Sequence, residues 1–70
     1  MEQRLLWVEI EREADGRWIV EVPTLPGVLA YGETAGEAEA KAKALALRVI
    51  ADRIEHGEPT PEIKGLFEAA

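Results

Sequence analysis

The chain has 70 residues, 14 acidic against 8 basic for a formal charge of −6, with one histidine and no cysteine. That length is one small domain with a thin core, and without cysteine neither a disulfide framework nor a thiolate metal site can reinforce it. Self-association is the remaining common stabiliser, so a homo-oligomer, dimer or larger, is expected; the acidic balance repels phosphate backbones, so DNA binding is not expected, and it suits a basic protein partner.

Residues 4–13 alternate, with Leu6, Val8 and Ile10 on one parity and Glu9, Glu11 and Glu13 on the other. That is the pattern of a half-buried strand. Residues 17–22 alternate again, with Trp18, Val20 and Val22 set against Ile19 and Glu21. Between them Ala14-Asp15-Gly16 signals a hairpin. A two-residue Asp15-Gly16 turn would place Glu11 beside Val20 and Glu9 beside Val22. A three-residue loop with Gly16 left-handed pairs Ile10 with Val20, Val8 with Val22 and Arg12 with Trp18 instead. The hydrophobic pattern selects this second loop, a type I turn closed by a G1 bulge. Pro23-Thr24-Leu25-Pro26-Gly27 follows as a stiff turn, since Pro23 and Pro26 fix φ and donate no ladder hydrogen bond. Residues 28–31 are a third strand, ended by Gly32.

Thr34-Ala35-Gly36-Glu37 is a capping box, with Thr34 as N-cap and Glu37 three positions on. It opens a helix over 35–56, stopped by Gly57 at C′ and Pro59 beyond. Glu37/Lys41 and Glu39/Lys43 are acid-before-base pairs four apart, each adding roughly 0.2–0.5 kcal/mol. Ala38, Ala42, Leu45, Ala46 and Val49 form the main apolar stripe, and its alanines allow close approach to the sheet. Residues 57–70 form a tail, in which a short fourth strand and a helical turn are both open. The fold class is therefore α+β: a three-stranded antiparallel sheet packed on one long helix, β-β-β-α, as a single domain over 1–70.

Two groups of apolar residues do not fit this core. Leu47 and Ile54, with Ala40 and Ala51, make a second stripe well round the helix, and Leu5, Trp7 and Ile19 fall on the sheet parity away from it. A contiguous uncovered apolar patch usually marks an interface, so Leu5, Trp7, Ile19, Leu47 and Ile54 are the candidate contact residues for a partner or a second copy. Trp7 leads, because tryptophan is enriched among binding hot spots. The competing reading is that Ile63-Lys64-Gly65-Leu66-Phe67 folds back and covers one of the two patches.

Catalytic chemistry finds no foothold. Serine and cysteine are both absent, so the usual nucleophiles are missing. The carboxylates sit at surface spacings, Thr34 is explained as a cap, and His56 falls in the last helical turn, where an imidazolium complements the macrodipole. No glycine-rich phosphate loop joins strand to helix, and no cofactor or metal is expected. No apolar run approaches a membrane span and no signal peptide is visible, so a cytoplasmic protein is expected.

The run Asp15-Gly16-Arg17-Trp18-Ile19-Val20-Glu21-Val22-Pro23-Thr24-Leu25-Pro26-Gly27, then Gly32-Glu33-Thr34 and Glu37-Ala38, resembles the signature of the HicB-like antitoxin family over roughly residues 5–61. The chain departs from it at Val28, where the family often has cysteine, and at Gly36, where it often has an acid. The resemblance implies a partial RNase H-like fold without active-site acids. It also implies a non-catalytic antitoxin that covers a small basic mRNA-cleaving toxin of the HicA type. Many members carry a further DNA-binding domain; a chain ending at Ala70 has no room for one, so operator binding is not expected. The alternative is an orphan, self-associating structural domain with no toxin partner.

Overall fold

In the computed structural model, which describes residues 6–63 and 67, the first hairpin forms around Gly16 at φ +92°. The Gly16 amide donates to the Glu13 carbonyl at 3.0 Å and the Glu13 amide donates to Arg17 at 2.7 Å. Those two bonds define the three-residue loop, and a positive φ there is open to glycine at little steric cost. Asp15 braces it: its carboxylate accepts from the Arg17 amide at 3.0 Å and from Arg17 Nε at 2.8 Å. The amide bond is the main cause holding the Asp15 carboxyl below the ordinary aspartate range.

Three strands follow from this turn, β1 (Glu9–Arg12), β2 (Trp18–Glu21) and β3 (Leu29–Gly32), in antiparallel order β1-β2-β3. The register sets Ile10 against Val20 and Arg12 against Trp18, as the hydrophobic pattern requires. The Arg12 guanidinium lies 5.6 Å from the Trp18 ring centroid.

Strands β1 and β2 are shorter than the alternation suggests, β1 most of all, while β3 keeps its expected length but is shifted one residue on, to include Gly32. Val22 donates to the Val28 carbonyl at 3.0 Å, so it faces β3. The next β2-side residue aimed at β1 is then Pro23, which has no N–H to give. The β1–β2 ladder therefore ends at Glu9–Glu21, and the expected Val8–Val22 pair lies outside it. Between β2 and β3 two turns run back to back. Leu25 donates to Val22 at 2.9 Å and Val28 donates to Leu25 at 3.0 Å, with Gly27 at φ +88° giving the second the type II form. Leu25 points inward and is fully buried, contributing about 1.5–3 kcal/mol.

Helix α1 spans Ala35–Glu55. Thr34 caps it, its hydroxyl accepting from the Glu37 amide at 3.0 Å. Glu37 turns back to accept from the Glu33 amide at 2.6 Å, one residue earlier than a standard capping box. Glu37 is thereby drawn away from Lys41, and of the two expected ion pairs only Glu39–Lys43, at 2.6 Å, forms among the described residues. His56 is the C-cap. Beyond it Gly57 donates to Ile54 at 3.1 Å and Glu58 to Arg53 at 2.8 Å, a complete Schellman closure.

Helix α1 lies over β3 and β2 and scarcely reaches β1. The core is Val20, Val22, Leu25, Val28, Ala38, Ala42, Ala46, Ile50 and Ile63. Its helical row, Ala38-Ala42-Ala46-Ile50, is spaced four apart, so Ile50 takes a place that the sequence reading gave to Leu45 and Val49. Those two are only half-buried at its flank. Ile63 arrives from a 3-10 turn at Pro61–Ile63, so among the described tail residues there is a helical turn and no fourth strand. Ile10 shares the helix-side face with Val20 yet stays 43% exposed, because the helix does not extend over the edge strand.

Candidate functional site

The sheet face turned away from α1 carries the parity of Glu9, Glu11, Ile19, Glu21, Leu29 and Tyr31. Register decides what meets what there. Glu11 lies opposite Ile19, which lies opposite Tyr31, and Glu9 lies opposite Glu21, which lies opposite Leu29. A shallow cavity of about 160 Å³ is lined by Glu9, Ile10, Glu11, Ile19 and Glu21. Its lining combines two isoleucines with three glutamates. Along the same face the Arg17 guanidinium sits 4.6 Å from the Tyr31 ring centroid. Trp7, just ahead of β1, is 58% exposed.

The Glu9–Glu21 pairing runs against local stability. Like charges directly opposite on neighbouring strands are destabilising, by roughly 0.2–1 kcal/mol. A chain that places two acids across from each other, next to a half-buried isoleucine, keeps a face that a cationic and partly apolar partner would relieve. The carboxylates are spread along the strands rather than converging. Among the described residues no group of three His, Asp or Glu is placed to hold a metal ion. Hydrogen-bond acceptors, negative charge and apolar side chains suit recognition of Lys- or Arg-bearing surfaces.

Of the sequence-predicted contact residues, Ile19 falls on this open face, Trp7 lies just ahead of β1 and is exposed, and Leu5 lies outside the described residues. Leu47 and Ile54 stand elsewhere, 59% and 51% exposed on the side of α1 away from the sheet. The two patches expected from the sequence thus lie on different surfaces, one on the sheet and one on the helix. The tail reaches the second without closing it: Ile63 is buried beside Ile50, while Phe67 borders an apolar groove with Leu47, Ile50, Ala51 and Ile54. Gly16, Pro23, Pro26, Gly27 and Thr34 sit in the turns and cap read from the sequence, whereas Gly32 is the last residue of β3 and Glu37 accepts from Glu33 rather than from Thr34.

Sequence reading placed Glu9, Glu11 and Glu21 on the outer parity but did not group them as a site. The signal was present in the register, which already aligned Glu9 with Glu21. Tyr31 was missed for a different reason: its neighbour Ile19 is set by the β2–β3 pairing, and the proline turn hides that register. No helix among the described residues is long and apolar enough to cross a membrane. The chain matches no protein-family model, no curated protein sequence and no solved structure.

Proposed function

We propose that this chain is a non-catalytic, HicB-like protein-interaction domain that neutralises a small basic, mRNA-cleaving toxin of the HicA type by covering it in the cytoplasm. The carrying observation is the open sheet face, where Glu9 and Glu21 are paired as like charges around Ile19 beside the exposed Trp7. The overall charge of −6 steers a basic partner toward the domain. The β-β-β-α order and the Asp15–Gly27, Gly32–Thr34 and Glu37–Ala38 segments are those the family resemblance calls for. In this reading Trp7 and Ile19 supply the apolar anchor and the three glutamates the ionic contacts.

Co-expression with the small basic protein encoded beside this gene tests it. The expected outcome is co-purification and suppression of RNA cleavage, both lost with Trp7→Asp or with Glu9→Lys and Glu21→Lys together. If no small basic protein is encoded nearby and none co-purifies, the antitoxin reading fails. A second reading, self-association of an orphan structural domain, is favoured by one separate observation: Leu47 and Ile54 remain exposed although the tail folds back beside them.

A further inference from the structure

The exposed side of α1 has a finer pattern than a second apolar stripe. Ala40, Ala44, Leu47, Ala51 and Ile54 are spaced four, three, four and three, which is the a/d spacing of a coiled-coil seam. At 100° per residue this row lies about 140° round the helix from the core-facing Ala38-Ala42-Ala46-Ile50 row. Four of its five members are exposed and Ala44 is half-buried. The groove beside it, lined by Leu47, Ile50, Ala51, Ile54, Ile63 and Phe67, has a volume of about 150 Å³ and only apolar side chains on its walls.

We infer that a second copy of this chain docks on this seam, with the two α1 helices antiparallel and related by a two-fold axis near Val49. In that register Ala44 faces the partner's Ile54 and Leu47 faces the partner's Ala51, each contact occurring twice by symmetry. Every large residue meets an alanine, the large-against-small alternation that lets two helices approach and interdigitate. Charge favours the same orientation. Lys41, which has no ion pair with Glu37, comes alongside the partner's Glu55, and both copies make that contact; a parallel in-register pair would set Lys41 beside the partner's Gly36 instead and make no such ion pair. The one like-charge contact is Arg48 beside the partner's Arg48 at the axis, on side chains long enough to diverge.

The β1 edge of the sheet offers no equivalent. A two-fold pairing of β1 that keeps both helices on one side sets Glu9 against the partner's Glu11, or Glu11 against the partner's Glu11. Charged edges of this kind prevent strand addition. The inference rests on the self-association reading and names its geometry. It also leaves the acidic sheet face free in the assembly.

The test is sedimentation equilibrium on the full chain, with circular dichroism to show that each variant keeps its helix. The wild type is expected to be a dimer. Leu47→Glu removes a buried leucine and inserts an unpaired charge twice per dimer, and should raise the dissociation constant about 100-fold. Lys41→Glu should weaken it about fivefold and the double variant Lys41→Glu with Glu55→Lys should restore it. A wild-type monomer removes both the inference and the self-association reading. A dimer unaffected by Leu47→Glu leaves self-association standing and overturns this interface, and failure of the charge swap to restore association overturns the antiparallel register.

Discussion

Gly32 is buried where the third strand hands over to the helix, and its role is one of space rather than of dihedral freedom. A Cβ there would stand 2.6 Å from the Ala38 amide nitrogen and 2.9 Å from Glu37 Oε1. The first contact is with helix backbone, which cannot swing aside, and the second is with the carboxylate that closes the cap. Gly32→Ala should therefore cost about 1–3 kcal/mol by overpacking, read as a lower urea midpoint with an unchanged slope. An unaltered midpoint would show that the helix start can shift outward freely. At the other end of β2, Pro23 acts through a missing donor: it stops the β1 ladder and leaves Trp7 and Val8 outside the sheet.

At the scale of elements, α1 is specified by its ends and its alanines. Thr34 and the returning Glu37 satisfy amides at the N-terminus, and Gly57 and Glu58 satisfy carbonyls at the other end. Thr34→Ala removes one acceptor and should destabilise the fold by about 1 kcal/mol, whereas Thr34→Asp should retain most of the stability. Equal losses in both variants, measured by thermal unfolding, would mean that the hydroxyl's bond is not what matters there. Alanines at 38, 42 and 46 contribute little apolar area each, but they bring the helix backbone close to Val20 and Ala30. The larger core side chains come from Val20, Val22 and Val28, from Leu25, inserted from a loop, from Ile50, and from Ile63, returned from beyond the helix.

For the whole molecule, one helix covers one face of a three-stranded sheet, so two surfaces are left without an intramolecular partner. The acidic sheet face keeps a repulsive pair that folding alone gives no reason to retain, and the proposed partner gives one. Glu21→Gln should accordingly raise unfolding stability by a few tenths to about 1 kcal/mol while weakening capture of the basic partner. Such opposite movement is the signature of a residue held for binding at the expense of stability. A variant that lost stability along with binding would mark Glu21 as structural. The helix seam bears the other uncovered surface, and its substitutions should leave partner capture by the sheet face intact.

Much of this was legible in the chain itself, because local chemistry dictates it. The alternation and the left-handed requirement at Gly16 determined the first hairpin's register, and Thr34, Glu37 and Gly57 determined the helix ends to within a residue. Fold class followed, since one long amphipathic helix after three short strands has one face to cover. What only the tertiary structure decided was the lateral placement of that helix. By lying over β2 and β3 it left Ile10 exposed and drew Ile50 and Ile63 into the core in place of Leu45 and Val49. Periodicity says which residues share a face of one element; it carries no information on how far that element slides across its neighbour, because packing among residues distant in sequence selects that offset.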